Sequence, residues 1–185
     1  MDSRVWWNLV VKNVFIEDMA SKNEKNLNLH NEKLTMIANE IFNEFCSEKY
    51  WKKFENCDNL LNNLKSKGYI IGAISNFDER LFVIVKNLNI ENYFDFILIP
   101  HNSNGNYKPQ KEIFLQALTK SKIDNPKHSM VHIGDSLELD YIASKKCEYN
   151  SILMIHDKEL KKPELVKDEY ATSLKDLEKK IYNIF

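Results

Sequence analysis

Ser75, Lys108, Asp135 and Asp140 are the residues of this 185-residue chain whose types and placement could do chemistry together. Ser75 ends the apolar run YIIGAIS, Lys108-Pro109 follows FDFILIP, and GDSLELD (Gly134 to Asp140) ends MVHI. Each falls just after the carboxyl end of an expected parallel strand, the rim where open α/β sheets gather their ligands. A hydroxyl, a cation and a spaced carboxylate pair at one rim point to a phosphate and divalent-metal site. The reacting group of such a site is expected to be an acid on an earlier strand. The chain opens instead with the pattern of a helix.

Each residue has a physical job and a plainer alternative. The Ser75 hydroxyl and nearby amides can donate to a phosphate oxygen; a turn-forming Ser before Asn76 would serve no ligand. Lys108 can balance phosphate charge, although a lysine so placed is commonly only solvated. Pro109 is expected to start the next helix. Asp135 and Asp140 are five apart across a loop entering a helix. One can coordinate Mg²⁺ while the other orients or binds a water ligand; a loop acid plus a helix cap is the alternative. His128 and His132 flank the third strand with no partner at ligand spacing, which assigns them to surface and core respectively.

Residues 134–137 also spell G-D-S-L, the signature of an esterase class with a serine nucleophile. That reading fails on the base. The motif lies two thirds along the chain, the only later histidine is His156, and no Asp sits three before it. A serine without a general base is a poor nucleophile.

The positioning elements read in two parts, with boundaries at 1–55 and 56–185. Asp2 or Ser3 can cap a helix with apolar positions Trp6, Trp7, Val10, Val11, Val14 and Phe15. A polar stretch leads to a second helix with Leu34, Ile37, Ala38, Ile41, Phe42 and Phe45 on one face. Such a pair is expected to pack antiparallel, with both tryptophans in its core. From about Tyr50 strands and helices alternate. Asp58 caps a helix that stops at Gly68. Strands follow at Tyr69–Ser75, Phe94–Pro100, Met130–Gly134 and Ser151–Ile155. The intervening helices lie around Arg80–Leu88, Glu112–Leu118 and Tyr141–Lys146, and Leu174–Ile184 closes the chain. The strands are near-continuous apolar runs, as in a sheet covered on both faces with right-handed parallel crossovers.

The order SNFD, then KP, then GD-x4-D resembles the haloacid dehalogenase-like hydrolase superfamily. SRVWWNLVV, SNFDERL and KPQKEIFLQAL extend the resemblance from Ser3 to about Ile155. It implies an α/β fold with a Rossmann-like parallel sheet and a small helical cap. It also implies Mg²⁺-dependent hydrolysis of phosphate monoesters through an aspartyl intermediate. Ser75, Lys108 and Asp135 would be catalytic, Ser75, Asn76 and Lys108 would bind phosphate, and Asp135 and Asp140 would hold the metal. The family's nucleophile sits in a D-x-D after the first, central strand, and no Asp of this chain is followed two residues on by another. The resemblance therefore describes a hydrolase lacking its first strand and nucleophile, expected to be inactive; the alternative is a non-catalytic binding or regulatory protein on the same fold. The absent strand would lie between those ending at Ser75 and Gly134. At four or five buried apolar side chains its loss forfeits on the order of 10 kcal/mol, against a typical net stability of about 5–15 kcal/mol. A slot or distorted closure and marginal stability are expected there. Two departures from the family are Glu148, where Gly suits a left-handed helix end at about 1 kcal/mol less cost, and Gln110, where Asp often follows KP.

Composition bounds the remaining classes. A net charge of −1 creates no global field for nucleic acid or anionic membrane. No apolar stretch is long enough to span a bilayer and no secretory pattern opens the chain, so a cytoplasmic place is expected, with the nucleus open. Cys46, Cys57 and Cys147, at unrelated spacings, read as free thiols. The four glycines are few for this length, and Asn and Lys take their polar positions. The expected partner is a small phosphorylated molecule.

Overall fold

The computed structural model describes residues 2–22, 31–123, 129–156 and 167–185. His128 lies outside them. The chain divides into two compact units, Met1–Lys52 with Asp78–Leu88, and Lys53–Phe77 with Asn89–Phe185.

The first unit is helical. Helix α1 is Ser3–Ser21, α2 is Asn31–Glu44 and α4 is Arg80–Asn87. Asp2 caps α1 by accepting from the Arg4 and Val5 amides, which satisfies two of the orphan donors of the first turn. Arg4 at the start of α1 donates to Asn43 at the end of α2, so the pair runs antiparallel. Leu34, Ala38 and Phe42 are buried on α2, but no residue of α1 is. Trp7 packs against Phe42 and Phe45, whereas Trp6 is 53% exposed. The expected tryptophan core is thus half correct: a 3.6-residue period turns Trp6 about 100° away from Trp7's face. Arg80 fills the space between, its guanidinium 4.5 Å from the Trp7 ring and 4.2 Å from the Phe42 ring. Asp78 pairs with that guanidinium at 2.6 Å, so the charge is buried with a partner and two aromatic faces.

The second unit is the α/β layer. Its elements are α3 (Cys57–Ser66), β1 (Gly72–Ile74), β2 (Phe96–Leu98), α5 (Lys111–Ser121), β3 (Val131–Gly134), β4 (Asn150–Met154), β5 (Tyr170–Ala171) and α6 (Leu174–Ile184). Asn56, at a φ of 65°, precedes α3, and Asp58 stands inside its first turn paired with Lys53 rather than capping it. Gly68, at a φ of 81°, ends α3 while Tyr69 N–H returns to the Leu64 carbonyl, the left-handed closure that glycine permits. Pro109 does not start α5; Gln110 is its N-cap. Glu148 adopts a φ of 64°, the left-handed position where a glycine is least costly.

Every strand pairing is parallel, and two helical layers cover the sheets. Leu60 and Leu64 of α3 and Leu177 and Ile181 of α6 bury Ile152 and Met154 on one face. Ile113, Phe114 and Ala117 of α5 bury Leu98 on the other, with Ala143, Cys147 and Tyr149. The sheet is broken. Strand β1 pairs with β2, and β3 with β4 and β4 with β5, but no ladder joins β1 to β3 among the described residues. A cavity of about 440 Å³ occupies the interval, lined by Gly72 and Ile74 of β1 and Val131 and His132 of β3. The slot expected between the strands ending at Ser75 and Gly134 is therefore present. The paired strands are shorter than the apolar runs around them, because only part of each run meets a neighbouring strand. No described helix is long and apolar enough to cross a membrane.

Phe114 is fully buried, meets Tyr149 edge-on, and receives the Tyr149 hydroxyl on its carbonyl at 2.5 Å. Truncating Phe114→Ala is expected to cost about 3–5 kcal/mol. Leu115→Ala, on the exposed side of the same helix, is expected to cost less than about 1 kcal/mol. Urea denaturation of the two variants reads the difference; equal costs would place the core elsewhere.

Candidate active site at the strand ends

The carboxyl ends of β1 and β3 lead into two loops whose polar groups are tied together. After β3, Ser136 caps a wide helical turn, Leu137–Ile142, by accepting from Leu139 N–H. The Ser136 carbonyl receives both Asp140 N–H at 3.0 Å and Tyr141 N–H at 3.1 Å. The five-residue closure widens the turn into a π-helix, a form frequent at functional sites. Here it carries Asp140 back under the strand end. Its path requires Gly134: a Cβ there would lie 2.2 Å from Asp140 Cγ. Ser144 Oγ donates to the Asp140 carbonyl at 2.6 Å and meets Ser151 Oγ at 2.6 Å, so the buried far side of the turn is also satisfied.

Asp140 is the centre of the site. Its carboxylate is buried and accepts from Lys108 Nζ at 2.5 Å and His132 Nε2 at 2.9 Å through Oδ1, and from Ser136 N–H at 3.1 Å through Oδ2. Burial pushes this carboxyl up, but His132, Lys108 and the Ser136 amide together outweigh it and hold it well below the ordinary carboxylate range. An ionised carboxylate only accepts, so His132 carries its proton on Nε2. Phe114 meets the His132 ring edge-on at 5.2 Å and fixes its plane.

The backbone at Lys108 is held as firmly as its side chain. Asn76 Oδ1 accepts from Lys108 N–H at 2.7 Å, and Asn76 Nδ2 donates to the Lys108 carbonyl at 2.8 Å. The Lys108–Pro109 peptide is cis. Gln110 Oε1 accepts from Tyr107 N–H at 3.0 Å and closes the loop from the other side. Ser75 donates its own N–H to the Leu98 carbonyl and accepts from Phe77 N–H through Oγ, which leaves the hydroxyl proton available to a ligand.

The structure therefore brings Lys108 and Asp140 into direct contact, ties Asn76 to Lys108, and sets Ser75 at the end of the adjoining strand. Asp135 is exposed at the end of β3. His132 is the residue that sequence reasoning missed. It was assigned to the core as a lone histidine, and it is mostly buried, but it serves the carboxylate. The available signal was its place two residues before Gly134, on a strand running into an acid-rich turn.

The fit of a divalent metal follows from the same donor set. No group of three or more His, Cys, Asp or Glu side chains among the described residues could hold one. Of the expected Asp135–Asp140 pair, Asp140 Oδ1 receives two donors and Oδ2 one, while Asp135 is exposed.

A parallel α/β layer whose strand ends carry Ser75, Lys108 and the Asp140 turn in this order defines a class. The haloacid dehalogenase-like hydrolase family profile matches residues 8–154, and the chain belongs to that family. Among its relatives, haloacid dehalogenase-like hydrolase domain-containing protein 3 of Danio rerio is 30% identical over 158 residues, covering 83% of this chain. The chain spans 59% of that relative's length. A haloacid dehalogenase-superfamily hydrolase of Geobacter sulfurreducens superposes with a TM-score of 0.69 at 17% identity, covering 94% of this chain and 72% of its own. A putative hydrolase of the same fold from Bacillus subtilis, bound to magnesium, gives 0.64 at 13% identity, covering 96% and 82%. These two structures show the fold.

The lowered pKa of Asp140 has a pH consequence. Its folded pKa lies below the unfolded value of about 3.9, so ionisation favours the folded state. That contribution is complete above about pH 5 and is lost as pH falls through the unfolded value toward the folded one. Asp140→Asn leaves Lys108 buried without its counter-charge. It is expected to lose about 3–5 kcal/mol at pH 7 and to flatten the acid limb of the stability curve. Denaturation across a pH series checks this; an unchanged stability and acid limb would contradict it.

Proposed function

We propose that this chain carries the phosphate-positioning half of a haloacid dehalogenase-type phosphatase site and does not turn over phosphate monoesters by itself. The observation that supports it is the clamp at the strand ends, in which Asp140 holds the Lys108 ammonium, Asn76 holds its backbone, and His132 meets the same carboxylate oxygen as the ammonium. A lysine used only for solubility has no need of two such partners. Its ammonium has three donors, so one can hold Asp140 while another meets a phosphate oxygen. Ser75 donates its hydroxyl to a second oxygen. Asn76 acts in this reading as a positioning residue, since both atoms of its amide engage Lys108.

The same arrangement accounts for the missing reaction. Ser75 and Lys108 bind and neutralise, but neither is a carboxylate placed for in-line attack. Asp140 is held by three donors and is a poor nucleophile for that reason. The substrate is a small phosphorylated molecule, and Mg²⁺, when bound with phosphate, would supply charge neutralisation. Asp135 is the open carboxylate of the described set. Mg²⁺ retains most of its waters and needs several oxygen ligands to be held, so its affinity for the chain alone is expected to be weaker than millimolar.

Two measurements test the reading. Inorganic phosphate, titrated by NMR, should perturb Ser75 and Lys108 amides, and Lys108→Met should weaken that binding about tenfold or more, the effect of a charge-assisted hydrogen bond. Absence of phosphate binding would remove the reading's basis. With Mg²⁺ and a generic phosphomonoester, the chain should stay far below enzymatic rates of about 1–10³ per second. Turnover in that range, abolished by Asp135→Ala, would show that a nucleophile is present after all.

A further inference from the structure

We infer that His132 is a positioning residue for the phosphate ligand: it acts through Asp140 on Lys108 and sets how many of the lysine's donors remain for phosphate. The inference rests on the phosphate-binding reading of this site and adds to it the residue that controls the lysine.

One oxygen carries two donors. An ionised carboxylate oxygen offers about two lone-pair directions. Asp140 Oδ1 receives Lys108 Nζ at 2.5 Å and His132 Nε2 at 2.9 Å, so both directions are taken. Oδ2 accepts from Ser136 N–H at 3.1 Å. The ammonium is therefore confined to a single lone pair of a single oxygen. It gives one N–H there and keeps the others.

The carboxylate itself has no freedom to rearrange. Gly134 lies so close that a Cβ there would stand 2.2 Å from Asp140 Cγ and 2.4 Å from Oδ2. The Asp140 carbonyl accepts from Ser144 Oγ at 2.6 Å. The Lys108 backbone is also fixed, since the Asn76 amide holds both its N–H and its carbonyl. The lysine head, on its flexible four-carbon stem, is the movable partner. Without the imidazole donor the ammonium can turn a second N–H onto the vacated lone pair. It then has one donor fewer for phosphate. The Asp140 charge, no longer shared with the His132 N–H, also repels a phosphate oxygen more strongly. Both effects weaken phosphate binding.

Packing alone does not call for a histidine at this place. The ring meets Phe114 edge-on at 5.2 Å, a contact that a phenylalanine would make equally well. Only a donor supplies the hydrogen bond to Oδ1. The His132 side chain is 11% exposed, so water has little access to take over that bond.

Two substitutions separate the donor from the ring. His132→Gln places an amide N–H near the position of Nε2 and discards the ring; His132→Phe keeps a ring and discards the donor. With inorganic phosphate titrated by NMR, His132→Phe should weaken binding about fivefold, the size of one net hydrogen bond. His132→Gln should bind as the unsubstituted chain does. The reverse order would assign His132 to packing, and equal affinity in all three chains would remove it from the site; either result overturns the inference. A second readout needs no phosphate. The Lys108 ammonium ¹H–¹⁵N signal should keep its shift in His132→Gln and move in His132→Phe, and an unmoved signal in His132→Phe would overturn the inference. A third readout needs no variant to fold. In the unsubstituted chain, phosphate that moves the Lys108 ammonium signal should also move the His132 Nε2 resonance, because both donors share Oδ1. A His132 resonance that stays still while the Lys108 signal moves would overturn the inference. If the unsubstituted chain binds no phosphate, the phosphate reading fails, while the ammonium signal still decides whether His132 positions Lys108.

Discussion

Burying a carboxylate costs several kcal/mol unless its oxygens find donors of good geometry, and at Asp140 that condition organises the whole rim. Three donors meet it: an ammonium from the loop after β2, an imidazole from β3, and a backbone amide from the start of the turn that carries the acid itself. Each donor fixes a different element. The lysine draws the loop after β2 toward the β3 side, although their strands belong to separate ladders. The histidine ties the turn to its own strand. Gly134 can have no side chain, because Asp140 occupies the place where a Cβ would stand. Removing Lys108 leaves the buried carboxylate without its counter-charge.

This electrostatic tie matters more here because the backbone does not supply one. In an intact parallel sheet the hydrogen-bond ladders position neighbouring strand ends to within fractions of an ångström. Here β1 and β3 share no ladder, and the interval between them is open. The clamp of Asn76 on Lys108 joins the β1 loop to the Lys108 loop, and the Lys108–Asp140 pair joins that loop to the β3 turn. Side chains thus span what a ladder does not. The helical layers do the same for the apolar part: Tyr149, following the β3 turn, buries its hydroxyl on the Phe114 carbonyl of α5, and burial pushes its pKa up, so the phenol stays neutral.

The legible part of the molecule was the part written locally. Ser75, Lys108 and the Asp135–Asp140 turn announced themselves because each follows an apolar run, and a strand end is where such residues collect. Helix α6 matches the closing helix expected at Leu174–Ile184, and Ser173 caps it by accepting from Asp176 N–H. The break in the sheet was legible as well, through the resemblance and the absent D-x-D. The illegible part depends on partners distant in sequence. His132 and Asp140 are eight apart, a spacing that no helix or strand brings together; a π-turn does so. The resemblance implied a phosphate role for Asn76, and only the tertiary fold places Lys108 against it. Arg80 gave no sign that its charge would lie among Trp7, Phe42 and Phe45.

Glu148 shows how such a site tolerates drift elsewhere. Its left-handed φ is a backbone demand of the closure after the short helix, where Tyr149 N–H returns to the Ser144 carbonyl. The demand persists because Ser144 also holds the Asp140 carbonyl. Relaxing the turn to suit a non-glycine residue would move Ser144, and with it the carboxylate. The chain therefore keeps the strained conformation at about 1 kcal/mol and not a displaced Asp140 at several times that. A local rule yields at Glu148 because a buried charge eight residues earlier does not.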